Sequence, residues 1–311
     1  MRSTSHQIWW VSALLLAGVW LVGLTGPTRA DGPAKKVLLI GLDGVRVDVM
    51  ESAETPHLDS LIAAGAYSND ARTRWPTVSG PGWSNMLTGV WPAKHHVIQN
   101  AFWHNNYDQY PDFLTRLEQL EPAFNTLSVT DWPPLGTEAY GGPVLSDLVD
   151  VRITFNADEM GYETADALSV AAAVEQLSTE NPDAAFVYLG NIDEVGHSHG
   201  TLSPEYRAAI EEADGYIGEL LAALADRPSF TQEDWLILVS TDHGRRDDGS
   251  HGGISLPERR TFFLAYGPAV DPNALPDNPH IVDVAVTALT HLGVSIDPDW
   301  RLDGEAIGLL P

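Results

Sequence analysis

The chain contains no cysteine and has few basic residues: 17 lysines and arginines stand against 43 aspartates and glutamates in 311 residues. Without cysteine the protein has no disulfide bonds and no thiol for lipid attachment. The formal net charge of −26 argues against a nucleic-acid polymer as partner, because the two would repel each other. The sequence also lacks internal repeats and an interdomain linker. We therefore expect a globular protein that is stabilised by its core or by bound metal.

Residues 1–30 have the pattern of a secretory signal peptide. An apolar run covers residues 8–24, and small residues at 28–30 offer a cleavage position. The alternative is an uncleaved membrane anchor, since the run is nearly long enough to span a bilayer. Glycines and a proline in and after the run favour cleavage after Ala30. The prediction is an exported protein, periplasmic or secreted, with residues 31–311 as one domain and no stable membrane partner.

The order of apolar and amphipathic segments predicts the fold class. Continuous apolar runs, typical of strands buried on both faces, cover residues 36–44, 184–190 and 235–240. Helical patterns lie between them, the clearest at residues 164–178 and 204–225. Strands that alternate with helices indicate an α/β protein, so we expect a three-layer α/β/α sandwich with a mostly parallel central sheet. Residues 134–163 lack firm periodicity and are expected to form a substrate-side loop or small insertion.

Acidic residues and histidines follow each of the three apolar strands. In chain order they are Asp43, then Asp193 and His197, then Asp242 and His243, with His251 shortly after. The carboxyl ends of parallel strands meet at one edge of a sheet, so these side chains can share a site. Carboxylates and imidazoles are ligands that suit zinc, and a pair of metal ions suits an in-line displacement at phosphorus. Each residue alone would also fit a turn or a cap, but their common placement after strands predicts two metal sites.

A candidate nucleophile lies in the Pro/Gly-rich segment at residues 75–89. Pro81 has the fixed φ that suits a first helical turn, so Ser79 is expected just before a helix N-terminus. At that place the helix dipole favours an anion, and a hydroxyl could attack a phosphoryl or sulfuryl centre while backbone donors hold the developing charge. The alternative is that Ser79 only caps the helix.

These motifs, from Val37 to about His251, resemble the alkaline phosphatase superfamily and, within it, the nucleotide pyrophosphatase/phosphodiesterase family. In that family a Pro-Thr-x-Thr-x-Pro-Asn-His stretch ends in Thr-Gly, and its second Thr is the nucleophile. Ser79 takes this place here, and Thr88-Gly89 forms the closing pair. The resemblance implies a covalent phosphoryl intermediate on Ser79 and two divalent ions, expected to be zinc. It assigns one ion to Asp193, His197 and His251, and the other to Asp43, Asp242, His243 and Ser79.

The sequence departs from the family pattern beside the nucleophile. Gly82 replaces an asparagine that donates to a phosphate oxygen, so we expect a backbone N–H, Asn85 or Asn100 to take over that contact. Trp83 is expected to stack on the leaving group or to line its pocket, although an aromatic residue is as often part of the core.

The resulting prediction is an exported two-metal hydrolase that cleaves phosphate diester or pyrophosphate bonds in a small molecule. A phosphomonoesterase with the same site is the first alternative. A sulfatase is the second, because Ser79-Gly80-Pro81 begins like the sulfatase Ser-x-Pro-x-Arg signature, in which Trp83 would stand at the arginine position. A third is a non-catalytic binding protein with a decayed site. The presence of every ligand and of a hydroxyl nucleophile argues against it.

Overall fold

The computed structural model describes residues 32–120 and 123–311, and the predicted signal peptide, residues 1–30, lies outside the described residues. A seven-stranded sheet with the order β2-β7-β6-β1-β5-β3-β4 forms the centre of the protein. Its strands are β1 (Ala34–Leu42), β2 (Ala66–Arg72), β3 (Thr126–Thr130), β4 (Val151–Thr154), β5 (Ala184–Leu189), β6 (Glu233–Ser240) and β7 (Arg260–Tyr266). Strand β7 pairs antiparallel with β2 and with β6, and the other pairs of this sheet are parallel. The predicted mostly parallel sheet is therefore confirmed.

Helices cover both faces of the sheet. The longer ones are α2 (Pro56–Ala64), α3 (Ser79–Thr88), α5 (Phe113–Leu120), α8 (Tyr162–Thr179), α9 (Asn191–His199), α10 (Pro204–Ala225) and α12 (Asp283–His291). Four-residue helices are α1 (Val47–Met50), α4 (Pro92–His95), α6 (Pro133–Gly136), α7 (Ala157–Met160) and α11 (Leu256–Arg259), and 3-10 turns cover Ala139–Gly141, Phe230–Gln232 and Pro298–Trp300. None of the helices within the described residues has the length and apolar character needed to cross a membrane.

Strand β1 is the centre of the sheet, and its side chains alternate between two cores. Val37 and Leu39 pack with α3, α5 and α12 on one face, whereas Leu38 and Ile40 pack with α2, α8 and α10 on the other. This explains why the strand is apolar at nearly every position. It also confirms the predicted α/β architecture, in which helices lie on both sides of one sheet.

The neighbours of β1 set the location of the site. Strands β5 and β6 pair with it in parallel, so that Gly41 lies beside Tyr188 on one side and Ser240 on the other. The residues that follow the three strands therefore emerge together at one edge of the sheet.

Residues 134–163 do not form an irregular loop, and whether they are an insertion stays a prediction. They contribute β4, the edge strand, which pairs in parallel with β3. They also contain α7 and the start of α8. All of the four residues of β4 are half-buried, so this short strand shows no apolar alternation by which the sequence could reveal it.

Candidate active site

All six predicted metal ligands lie at the carboxyl edge of the sheet, in two groups of three. Asp43, Asp242 and His243 form a fully buried group, and Asp193, His197 and His251 form a more open one. Within each group the candidate ligand atoms lie within 4.8 Å of one another. The open group owes its geometry partly to α9, because Asp193 and His197 lie one turn apart on that helix and share a face.

Ser79 is the first residue of α3, and its side chain points at the buried group. Its Oγ lies 3.5 Å from Asp43 Oδ1 and 3.4 Å from His243 Nε2. The helix comes this close because Gly82 has no side chain: a Cβ there would lie 2.8 Å from the Cβ of Asp242. The predicted nucleophile and the predicted ligands thus meet in one place.

Backbone carbonyls fix the ring orientation of two histidines. The Nδ1 of His243 contacts the oxygen of Gly244 at 3.2 Å, and the Nδ1 of His251 contacts the oxygen of Thr77 at 2.8 Å. A carbonyl can only accept, so each Nδ1 carries the proton and each Nε2 presents a lone pair. Burial lowers the pKa of both imidazoles, which keeps them neutral. Both Nε2 atoms are therefore available as metal ligands.

Among the described residues, no arginine or lysine pairs directly with the carboxylates of the buried group. Burial and repulsion from Asp193 raise the pKa of Asp43 to about 7, and burial and repulsion from Asp43 raise the pKa of Asp242 well above its ordinary value. Among the described residues, Asp242 Oδ2 has no hydrogen-bond partner although it is buried. Orphaned carboxylate oxygens and imidazole lone pairs that converge on one point fit a divalent cation.

Asp43 is held in place by two donors from the core. The Nε1 of Trp83 and the hydroxyl of Tyr188 both donate to Asp43 Oδ2, at 2.9 Å and 2.7 Å. Such outer contacts orient a ligand and leave its other oxygen, here Oδ1, for the metal. The prediction that Trp83 contacts a leaving group is wrong, because its ring is completely buried beneath Asp43.

The first turn of α3 offers fewer free donors than we expected. The N–H of Gly80 donates to Asn100 Oδ1 at 2.7 Å, Pro81 has no N–H, and the N–H of Gly82 donates to the oxygen of Val78. Gly82 therefore brings no free N–H to a phosphate. Asn100 is exposed, and because its Oδ1 is engaged its Nδ2 is left for another partner.

The other candidate amide, Asn85, cannot replace the missing asparagine. It is fully buried and contacts His95 Nε2 at 2.8 Å through its Oδ1. Both residues of this pair lie in the interior of the molecule.

Sequence reasoning missed two residues of the site, Tyr188 and Arg245. Tyr188 lies in an apolar strand, and its hydroxyl is the only side-chain feature of that strand that indicates a polar partner at the site. Arg245 directly follows Asp242-His243-Gly244, is completely buried, and forms an ion pair with Asp193. A charged residue directly after a predicted ligand motif could have been identified from the sequence as part of the site.

Comparison with known proteins shows which family the chain resembles. A model of the type I phosphodiesterase / nucleotide pyrophosphatase family matches residues 37–247. Human ectonucleotide pyrophosphatase/phosphodiesterase family member 7 is 24% identical over 243 residues, which are 74% of this chain and 52% of that protein. A bovine bis(5′-adenosyl)-triphosphatase is 25% identical over 250 residues, 74% of this chain and 51% of that protein. The chain thus spans about half the length of these curated relatives.

The fold is also found in a solved relative. The structure of murine ectonucleotide pyrophosphatase/phosphodiesterase 5 in complex with AMP superimposes with a TM-score of 0.65 at 16% identity. The match covers 85% of this chain and 96% of the murine chain. Together with the family match over the strands that carry the site, this shows that the chain belongs to the type I phosphodiesterase / nucleotide pyrophosphatase family, within the alkaline phosphatase superfamily.

Proposed function

We propose that this protein is a two-metal hydrolase that cleaves phosphate diester or pyrophosphate bonds in small molecules, with Ser79 as nucleophile. The observation that carries the proposal is the position of Ser79 Oγ, 3.4 Å from His243 Nε2 and 3.5 Å from Asp43 Oδ1. A serine that only capped its helix would bond to backbone N–H groups of the first turn. Here the hydroxyl faces ligand atoms instead, which is the arrangement that activates a nucleophile.

We assign one divalent ion to Asp43, Asp242 and His243, together with Ser79, and the other to Asp193, His197 and His251. The mixed set of carboxylate oxygens and imidazole nitrogens favours zinc. When bound, the ions supply a deprotonated nucleophile and neutralise charge on the phosphoryl oxygens. The buried carboxylates and the fixed histidine tautomers described above support this assignment.

The reaction that we infer has two displacements at phosphorus. Ser79 Oγ attacks phosphorus, the bond to the leaving oxygen breaks, the proton of the serine hydroxyl ends on that departing oxygen, and the phosphoryl group becomes an ester of Ser79. Water then attacks the same phosphorus on the side that the leaving group vacated, which releases the phosphorylated product and restores the serine. Ser79 is 6% exposed, so bulk water has little access to the first step.

Asn100 is our candidate for holding the substrate. Its Oδ1 accepts from Gly80 N–H at the start of α3, next to Ser79, so its Nδ2 is near the nucleophile and able to donate. This amide would supply the phosphate-oxygen contact that Gly82 cannot provide.

The names of relatives support the substrate class. The solved murine relative contains AMP, and the bovine relative is named for cleavage of a diadenosine triphosphate. We propose accordingly that the substrate is a small phosphate ester or anhydride, which agrees with a chain whose net charge of −26 disfavours nucleic-acid polymers. Export to the periplasm or the medium is proposed from the signal-peptide pattern of residues 1–30.

Initial rates on three nitrophenyl esters test the proposal: a phosphate diester, a phosphate monoester and a sulfate, each with added zinc. We expect the diester to be preferred and Ser79→Ala to abolish turnover. Ser60→Ala is the matched control, because Ser60 is an exposed helix residue whose hydroxyl, within the part of the chain that the structure describes, bonds to the oxygen of Pro56 alone. Preference for the monoester or the sulfate would replace the proposed substrate class. Full activity of Ser79→Ala would contradict the assignment of the nucleophile.

A further inference from the structure

Arg245 places a permanent positive charge inside the open metal group. The residue is fully buried, and its guanidinium forms an ion pair with Asp193 through Nη2 and donates to the oxygen of Gly249 through Nη1. Its Nε is buried and has no hydrogen-bond partner among the described residues.

The space around the guanidinium is shaped by two glycines. A Cβ at Gly44 would lie 2.8 Å from Arg245 Nε, and a Cβ at Gly196 would lie 3.0 Å from the guanidinium carbon. Both glycines belong to the segments that carry ligands, since Gly44 follows Asp43 and Gly196 precedes His197. A side chain larger than that of glycine at position 44 or 196 would therefore collide with the guanidinium of Arg245.

The two ligand groups differ in charge, and Arg245 increases the difference. The buried group contains the two carboxylates of Asp43 and Asp242, and no arginine or lysine pairs with either of them in the described residues. The open group contains the single carboxylate of Asp193, and Arg245 neutralises it. A cation is attracted less to a neutral ligand set than to one with two negative charges.

We propose that Arg245 is a positioning and charge-setting residue that makes the Asp193, His197 and His251 site the weaker and more readily exchanged of the two metal sites. This inference rests on the two-metal centre proposed above. With Asp193 Oδ1 held by the guanidinium, Oδ2 is the oxygen left for an ion, next to His197 Nε2 at 3.1 Å. The side chain of His197 is 48% exposed, so solvent reaches this site and not the buried one.

The direction of the effect follows from what else holds Asp193. Helix α9 is fixed at its start by Asp166, which accepts from Gly190 N at 2.8 Å and from Asn191 N at 3.2 Å. His197 also contacts Asp193 from the next turn of the helix. Asp193 therefore keeps its orientation without Arg245. Removal of the positive charge should then strengthen metal binding, whereas loss of a purely orienting contact would weaken it by about 10–100-fold.

Zinc titration of the chelator-stripped protein against a chromophoric competitor tests the inference. Arg245→Met and Arg245→Gln remove the charge, and Arg245→Lys retains it. Arg246→Met is the matched control, since this neighbouring arginine is exposed and its side chain contacts Ser250, Asp248 and Glu258, none of which is a predicted metal ligand. We expect two phases in the wild type, and His197→Ala should remove the weaker one. In both neutral variants the weaker phase should tighten by about tenfold or more, and the tighter phase should change less, because Arg245 pairs directly with Asp193 and acts on Asp43 without a direct contact.

Thermal melting supplies a readout that separates charge from misfolding. A neutral residue at position 245 leaves Asp193 without its countercharge, so the metal-free variants should melt about 10 °C lower than the wild type, whereas zinc-saturated variants should melt close to it. Wild-type protein that binds no zinc would refute the metal centre itself. Two bound ions with an unchanged or weakened second phase in both neutral variants would overturn only the role of Arg245.

Discussion

Tyr188→Phe removes a single oxygen atom, the hydroxyl that bonds to Asp43 in the buried metal group. The tyrosine hydroxyl donates to Asp43 Oδ2 at 2.7 Å, and the indole of Trp83 donates to the same oxygen at 2.9 Å. The phenyl ring would keep its edge contact with Trp83, whose centroid is 5.1 Å away. The variant therefore isolates one hydrogen bond to a carboxylate that we assign as a metal ligand.

The magnitude follows from the chemistry of that bond. A hydrogen bond to a charged group contributes about 1.5–3 kcal/mol, which corresponds to about 10–150-fold in an equilibrium constant. We expect zinc affinity at the Asp43 site to fall by about this factor, because Asp43 is freer to turn away from the ion. Turnover of the diester at limiting zinc should fall in parallel, and saturating zinc should restore most of it.

Competition titrations and diester rates at a series of zinc concentrations measure both quantities. Tyr216→Phe is the control, since the hydroxyl of this half-buried tyrosine on α10 bonds to Glu212, which is not a predicted metal ligand. A change of less than about twofold in Tyr188→Phe would refute the reasoning that the two core donors hold Asp43 for a metal.

Three further changes test other parts of the site. Gly82→Asn, which restores the family residue, should lower diester kcat/KM by about 10–100-fold in rate assays, because a Cβ would lie 2.8 Å from Asp242. Gly41→Ala should lower the free energy of unfolding by about 1–3 kcal/mol in denaturant titrations, since its Cβ would fall within 2.5 Å of the Trp83 ring. Asn100→Ala should raise KM for the diester more than it lowers kcat. Unchanged values in any of these would contradict the corresponding contact.

Much of the fold followed from the sequence because the buried strands and the long helices have strong patterns. The helix beginning at Pro204 and ending at Ala225 was predicted with the same bounds, and the three central strands within a few residues. Strand β4 was missed because an edge strand of four half-buried residues carries no such pattern. The place of β7 between β2 and β6, and its antiparallel direction, depends on contacts between distant segments and could not be derived from local periodicity.

The metal ligands could be placed from the sequence because the parallel sheet alone determines that they lie close together. Once Asp43, Asp193 and Asp242 each follow a parallel strand, the edge of the sheet brings them together. The surroundings of these residues could not be placed in the same way. Whether Trp83 faces substrate or core depends on how α3 packs on β1, and a glycine at position 41 makes room for its ring. Likewise, the loss of free N–H donors at the start of α3 depends on Asn100, which lies on a separate loop.

The stereochemical course at phosphorus shows whether hydrolysis passes through a covalent intermediate on Ser79. The substrate would be a diester made chiral at phosphorus by sulfur, and the hydrolysis would be followed by analysis of the product configuration. Attack by Ser79 followed by attack of water inverts the configuration at phosphorus twice, so we expect net retention. Net inversion would show that water attacks the substrate directly, and it would contradict a covalent intermediate on Ser79.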